Sequence, residues 1–492
     1  MITREIPGFE EEADTAAGLV ADPGALHSIL RPRQQQSRAT TRRPDQHPAP
    51  VAVEPLVDDQ HEAEFFGEPR DCRIIVGDQQ RDCGDPVSCH GASLPAETTK
   101  IDGNRHRGSN VAANSRKVTA MESLENATAG QWGGGGRMTV DLGALARNWT
   151  ELARRAGGAE TAATVKGDAY GIGIEPAAAA LARAGCRTFF VALAEEGLRL
   201  GAAVPAATIY VLNGLAPGAA RPLTAAGLRP VLSSPDEIAE WAAYRASGGT
   251  GEAALHVDTG MNRLGVTHDE ARRTAPCRKA LGLALVMSHL ATAEQPAHPL
   301  NGAQLARFRD VAALFPDLPA SLANSAGMHL SPDYRFSLVR PGIALYGGRF
   351  GDVHRPLETV VSVEAPIVQI RSIAAGETIG YGAAQHLRRA SRVAIIGAGY
   401  ADGYHRMAGS SDERAGSFVV VHGRRAPLLG RISMDLMAAD VTDIAEARRG
   451  DMAELYGAQV AIDDVANIAG TISYELFTSL GRRYRRRFIA SP

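Results

Sequence analysis

The stretch Thr161-Ala162-Ala163-Thr164-Val165-Lys166-Gly167-Asp168-Ala169-Tyr170-Gly171-Ile172-Gly173, followed by the Ala-rich run Glu175 to Ala184, decides how the chain is read. A short apolar run long enough for a buried strand ends on a polar, Gly-rich turn, and a helical pattern follows it. The same cadence repeats downstream. Phe189 to Leu193 precedes a helix from Ala194 to Leu200, and Thr208 to Leu212 precedes one through Ala226. Pro230 to Leu232 precedes Pro235 to Tyr244, and Ala253 to Val257 precedes a helix near Asp269 to Thr274. Leu281 to Met287 leads into Ala303 to Leu314, Ser321-Leu322 is a further short strand, and Gly342 to Leu345 closes the series. With Thr139 to Leu142 at the head, leading into an amphipathic helix from Ala144 to Ala156, eight or nine strand–helix units span this region. That count predicts an α/β fold, a parallel (β/α)8 TIM barrel over residues 138–358, with an open doubly wound sheet as the alternative.

After about residue 356 the rhythm changes. Val363 to Ser372, Arg392 to Ile396, Ser417 to Val421, Met434 to Val441 and Asp451 to Leu455 are β-type runs separated by Gly- and Asp-bearing turns. They predict a mostly antiparallel β domain over residues 359–492.

Upstream the composition is different. Of the chain's aromatic residues only Phe9, Phe65 and Phe66 precede Trp132. A segment so poor in apolar surface cannot offset its ordering entropy, so residues 1–130 are expected to be a disordered or non-native N-terminal extension, with Met121 or Met138 as the natural start. Within it, the gaps between Cys72, Cys83, Cys89 and His90 match no standard zinc spacing, and no metal is expected. Gly133 to Gly136 reads as a flexible linker, since a phosphate loop would need a lysine and a following helix.

The whole chain has 492 residues, 45% of them hydrophobic, and a formal net charge of −3. That balance argues against nucleic-acid and membrane-surface binding, and a basic run such as Arg482 to Arg487 reads as a solvated face. No apolar run reaches bilayer length. The opening Met1-Ile2-Thr3-Arg4-Glu5 leads into acidic residues, so no secretory leader is expected. The five cysteines, odd in number and sparse, read as reduced thiols in a cytoplasm.

The chemistry enters through the lysines. Among 52 Lys and Arg residues only four are lysines, at 100, 117, 166 and 279. Lys166 follows a buried strand, where barrels of this kind carry their reactive groups. Lysine, unlike arginine, can lose its proton and form an imine with a carbonyl. Other polar clusters also fall at strand ends: the turn from His256 to Gly265 with Arg263, Ser288-His289, Asn324-Ser325-Ala326-Gly327, and Arg340-Pro341-Gly342-Ile343. Each taken alone has a structural explanation, as a core histidine, a helix cap or a surface ion pair. Together on one rim, with the last loops placed where such barrels bind phosphate, they suggest pyridoxal phosphate.

Seven motifs in order carry a specific resemblance. They are Val165-Lys166 through Gly173, Asp258 to Gly265, Asn324-Ser325-Ala326, Arg340 to Gly347, Gly399 to Tyr404, Arg431 to Asp435 and Thr471 to Glu475. In these the chain resembles alanine racemase from about Met138 to Phe488. The resemblance implies interconversion of L- and D-alanine by a two-base mechanism on pyridoxal 5'-phosphate, supplying D-alanine for peptidoglycan. It also implies a homodimer in which each site borrows residues from the partner. Lys166 would hold the cofactor and act on the D-face, while Tyr400 of the other subunit would be the base for L-alanine. Because a tyrosine's reference pKa is about 10, such a base needs cationic or donor neighbours, for which His289 and Arg340 are candidates.

By the same resemblance Arg340 faces the pyridine nitrogen, and Tyr170, Ser325 and Tyr474 contact the phosphate with the N–H groups of Gly342 and Ile343. Asn324 belongs to the same cofactor-binding loop. Arg263 touches the cofactor's phenolic oxygen and the substrate carboxylate, and Met434 from the partner supplies a second carboxylate contact. Tyr474 and Met434 wall a pocket small enough to favour alanine. The chain departs from the family pattern at His256, where some members carry a carbamylated lysine that orients the turn arginine. It departs again at Gly167 and Ile172, where alanine and histidine are common. The competing readings are a broad-specificity racemase, a barrel-type decarboxylase of basic amino acids and a non-catalytic cofactor-binding barrel protein.

Overall fold

The computed structural model describes residues 135–350 and 357–490. The expectations for residues 1–130, including the group Cys72, Cys83, Cys89 and His90, and for Gly133-Gly134 lie outside the described residues.

Seven parallel strands pair in sequence order: Ala163–Thr164, Thr188–Val191, Thr208–Val211, Leu228–Leu232, Ala253–His256, Leu283–Met287 and Ala320–Ser321. The ends of this sheet meet. Leu338–Val339 pairs in parallel with Glu160–Thr161, the upstream half of the first strand. The Ser337 N–H donates to Ala320 O at 3.0 Å, and the Thr164 N–H donates to Pro341 O at 2.9 Å. Eight strand segments therefore close a cylinder, which excludes the open doubly wound sheet. Its interior is filled by Ala162, Phe190, Tyr210, Val231, Ala254, Leu285, Met287 and Leu338, all buried. The barrel is thus a packed core whose polar rim lies above a solid floor.

Two strands of the sequence reading are corrected. Arg137–Asp141 does not open the barrel; it pairs antiparallel with the long strand Val361–Ile373 and parallel with Arg485–Ile489. The distinction is visible in burial. Met138 and Val140 are buried while their neighbours are half-exposed, whereas Thr188–Val191 and Ala253–His256 are buried at every position. Alternation belongs to a sheet with one solvated face, and continuous burial to a parallel barrel. The segment read as the last strand, Gly342 to Leu345, is instead a short 3₁₀ helix at Ile343–Tyr346, and Leu338–Val339 provides the strand.

The helices end where local chemistry dictates. Leu142–Ala156 starts on Asp141, whose carboxylate accepts the Ala144 N–H at 3.0 Å, and it stops at Gly157 with φ 67°. It buries Leu145, Asn148, Trp149 and Leu152, a spacing of three and four. Pro235–Ala246 starts on Ser234 with Pro235 in its first turn.

The second sheet has eight strands, antiparallel apart from the Arg137–Asp141 and Arg485–Ile489 pair. Two helices, Ile462–Ala469 and Ser473–Ser479, accompany it. The second of these brings Tyr474 to the rim of the barrel. No helix among the described residues is long and apolar enough to cross a membrane.

Candidate active site

A cavity of about 580 Å³ opens at the carboxyl ends of the barrel strands. Phe190 and Met287, part of the packed interior, form its floor, and Lys166 and Tyr170 enter from the turn after the first strand. His256 and Arg263 come from the strand and turn around residues 253–265, and His289 follows Met287. Asn324, Ser325, Arg340, Gly342 and Ile343 close the ring from the last loops, and Tyr474 caps it from the second sheet's helix. Ten of the twelve residues singled out from the sequence thus share one cavity. Asn324 also shapes its loop, its side-chain oxygen accepting the Gly327 N–H at 2.9 Å.

The remaining two, Tyr400 and Met434, are elsewhere. Tyr400 is 43% exposed and Met434 53% exposed on the β domain, away from the cavity of their own chain. They are neighbours of one another: the Tyr400 N–H donates to Ser433 O at 3.1 Å and the Ala401 N–H to Met434 O at 3.0 Å. Arg483 clamps the two turns by pairing with Asp402 at 3.1 Å and Asp435 at 2.7 Å.

The cavity is cationic, lined by Lys166, Arg263 and Arg340. Burial lowers the Lys166 ammonium below the usual lysine range, and the Arg263 guanidinium pushes the same way. Burial likewise brings Arg340 down to about 9, so it remains charged at neutral pH. Arg340 is 5% exposed and lies over the Phe190 ring at 5.8 Å. It donates to Ser288 O at 2.6 Å, to Leu322 O at 3.4 Å and to Ser321 Oγ. Among the described residues no carboxylate pairs with it. It lies 3.5 Å from His289 Nδ1. Because guanidinium only donates, Nδ1 must accept there, which leaves the ring proton on Nε2. Burial and Arg340 hold His289 well below its ordinary pKa, so it is neutral.

A buried cation with only neutral acceptors costs stability and is typical of a functional site. Arg340→Met should therefore unfold at a urea midpoint no lower than the parent's. Its kcat/KM should fall by about 10²–10³, the scale of losing one preorganised electrostatic contact. A large drop in midpoint would mean the guanidinium is structural.

His256 gives a pH prediction. Burial, followed by Arg340, depresses it to about 4 from the ordinary 6.5. The unfolded chain takes up the proton first on acidification. The stability contribution is therefore complete above pH 6.5 and lost as pH falls from 6.5 toward 4, by about 3 kcal/mol in all. Urea midpoints of the cofactor-free protein between pH 4 and 7 should flatten in His256→Gln; identical slopes would refute the assignment.

The residues fit a phosphorylated aldehyde cofactor. Ser325 Oγ accepts the N–H groups of Gly342 at 2.9 Å and Ala344 at 3.3 Å, gathering backbone donors at the start of a 3₁₀ turn. A side chain at 342 would collide with the Tyr170 hydroxyl, so only glycine leaves this cradle open. Burial raises the Tyr170 and Tyr474 hydroxyls, which keeps both as donors. A lysine amine, a phosphate cradle and a buried guanidinium are the functional groups that pyridoxal phosphate requires.

Sequence reasoning missed three contributors. Tyr346 stacks on Tyr170 with ring centroids 4.5 Å apart, and its hydroxyl donates to Thr164 O at 3.2 Å. Glu294 accepts from the Tyr474 hydroxyl at 3.1 Å. Glu196 binds the backbone of the Lys166 turn. None has a local signature, because each acts across a long sequence separation or through backbone.

Residues 140–350 match the family described as alanine racemase, N-terminal domain, and residues 360–488 match alanine racemase, C-terminal domain. The alanine racemase of Rhizobium meliloti (strain 1021) is 48% identical over 365 residues, covering 72% of this chain and 96% of that protein. The biosynthetic alanine racemase of Agrobacterium fabrum is 48% identical over 367 residues, covering 72% of this chain and 94% of that protein. The crystal structure of alanine racemase from Bartonella henselae with covalently bound pyridoxal phosphate superposes with a TM-score of 0.68 at 39% identity. It covers 72% of this chain and 99% of that one.

Proposed function

The chain belongs to the alanine racemase family, a family of pyridoxal-phosphate enzymes, and from that premise we propose that it interconverts L- and D-alanine through two opposed bases, Lys166 and Tyr400. The observation that carries the reading is the split of the site. The cofactor groups converge in one barrel cavity while Tyr400 and Met434 stand exposed on the β domain. A homodimer in which Tyr400 and Met434 reach the partner's cavity supplies what each cavity lacks.

When bound, pyridoxal phosphate supplies an electrophilic aldehyde and an electron-accepting ring that loosen the α-proton. Lys166 holds the cofactor and moves the proton on the face that yields D-alanine. Tyr400 of the partner subunit moves it on the opposite face, since inversion needs one group to remove the proton and another to return one from the far side. Arg340, charged at neutral pH, would meet the ring nitrogen as a hydrogen-bond donor, with the neutral His289 imidazole 3.5 Å from its guanidinium. Tyr170, Ser325, Tyr474 and the Gly342 and Ile343 N–H groups bind the phosphate, on the loop shaped by Asn324. Arg263 and the Met434 N–H fix the substrate carboxylate. The Arg263 turn is shaped by Asp258, whose carboxylate accepts N–H groups of Gly260, Met261 and Asn262 at 2.8, 2.9 and 3.0 Å. That network fixes the backbone of the turn from which Arg263 projects, with histidine at 256. The compartment this reading assigns is the cytoplasm, with D-alanine destined for peptidoglycan; the described cysteines, Cys186 and Cys277, are both free.

The test is a chiral assay with L-alanine and L-serine side by side. Racemisation of alanine with serine turned over at least about 10-fold less well is expected, the discrimination a snug pocket gives for one added group. Comparable rates would make the enzyme a broad-specificity racemase, and amine formation with loss of carbon dioxide would make it a decarboxylase.

A further inference from the structure

Between the two cofactor-facing side chains Lys166 and Tyr170 the backbone winds left-handed. Gly167, Asp168, Ala169 and Tyr170 have φ of 65°, 56°, 53° and 54°. That conformation costs roughly 1–2 kcal/mol for each residue bearing a Cβ. Three such residues in succession persist only where the surroundings over-determine them.

The surroundings here converge on one carboxylate. Glu196 lies in the first turn of the helix Ala194–Ala203. Its Oε1 accepts the Asp168 N–H at 3.1 Å, and its Oε2 accepts the N–H groups of Ala192 at 2.9 Å and Leu193 at 3.2 Å. One side chain therefore ties the turn after the first barrel strand to the loop after the next. A second layer of contacts holds Asp168 itself. Its Oδ1 accepts the Ile174 N–H at 3.1 Å and pairs with Arg199 at 2.8 Å. Glu196 does not line the cavity, so its effect on chemistry must pass through what it holds.

We propose that Glu196 is a positioning residue: its carboxylate locks the left-handed Gly167–Tyr170 turn, and so sets the Lys166 amine and the Tyr170 hydroxyl together at the cofactor pocket. The same carboxylate is the group that opposes the lowering of Lys166 by burial and by Arg263. The turn's own strain explains why a strong, charged acceptor is needed there. An exposed acidic residue in the first turn of a helix would otherwise need only to favour the helix dipole.

The proposal rests on Lys166 as the cofactor lysine, and the experiment separates the two. Full-length parent, Glu196→Ala, Glu196→Gln, Ala169→Gly and the double variant Glu196→Ala/Ala169→Gly are each titrated with pyridoxal phosphate after cofactor removal. Each is also fixed with borohydride and mapped by peptide mass spectrometry, with thermal melting alongside. Glu196→Ala is expected to bind the cofactor about 10-fold more weakly, the scale of losing charge-assisted hydrogen bonds to the turn. Its yield of fixed adduct at Lys166 should fall in parallel. Adding Ala169→Gly should recover several-fold of that loss, because glycine adopts the left-handed region without steric cost. Glu196→Gln, which keeps one acceptor oxygen, should fall between parent and alanine variant, and it carries the test if Glu196→Ala does not fold. Cofactor affinity and adduct yield within twofold of the parent in a folded Glu196 variant would overturn the proposal. So would a double variant no better than Glu196→Ala, since the carboxylate would then act by charge alone and not through the turn. Absence of adduct at Lys166 in the parent would instead overturn the cofactor reading itself.

Discussion

Lys166→Ala protein should lack the visible absorption of covalently held cofactor and should racemise alanine about 10⁴-fold more slowly or worse, because one side chain provides both attachment and a base. Lys166 is the lysine of the cavity, and partial burial together with the nearby Arg263 guanidinium shifts its amine toward the neutral, nucleophilic form. Alanine at 166 leaves the phosphate cradle at Ser325 and Gly342 intact, so weak, non-covalent cofactor binding should survive. Borohydride fixation followed by peptide mapping checks this directly. An adduct at Lys279 in the parent, or undiminished turnover by the variant, would remove Lys166 from its role.

The second large effect concerns direction. Tyr400→Phe should slow α-proton exchange with solvent deuterium from L-alanine by about 10²–10³, the contribution of a positioned general base, and affect exchange from D-alanine far less. Equal losses from the two enantiomers would refute the assignment of faces. The exposed position of Tyr400, hydrogen-bonded through its N–H to Ser433 next to Met434, makes the companion experiment decisive. Neither Lys166→Ala nor Tyr400→Phe can make a complete site alone. Mixed and allowed to exchange subunits, they assemble heterodimers with one intact site. Activity should then return to about a quarter of the parent's, the statistical expectation for a two-fold dimer. No recovery after demonstrated exchange would place Tyr400 in its own chain's chemistry or outside the reaction.

Chemistry that depends on residue type was legible from the chain alone. Lysine is rare enough that Lys166 stands out, and polar clusters at the ends of apolar runs mark one rim of a barrel. Pairing was not legible. Thr139 to Leu142 and Phe189 to Leu193 both read as strands, yet the first joins the β domain and the second the barrel. Only burial on one face or on both separates them. Gly342 to Leu345 has strand-like composition, but Ser325 Oγ draws its N–H groups into a turn. Composition and period thus determined the prominence of Lys166, the barrel-type alternation and the polar rim, because these are properties of neighbouring residues. Closure of the cylinder, the stacking of Tyr346 on Tyr170, the strained turn gripped by Glu196 and the separation of Tyr400 from its own cavity were decided by the tertiary structure. Each depends on groups brought together from distant parts of the chain, and a local pattern carries no record of which distant partner will arrive.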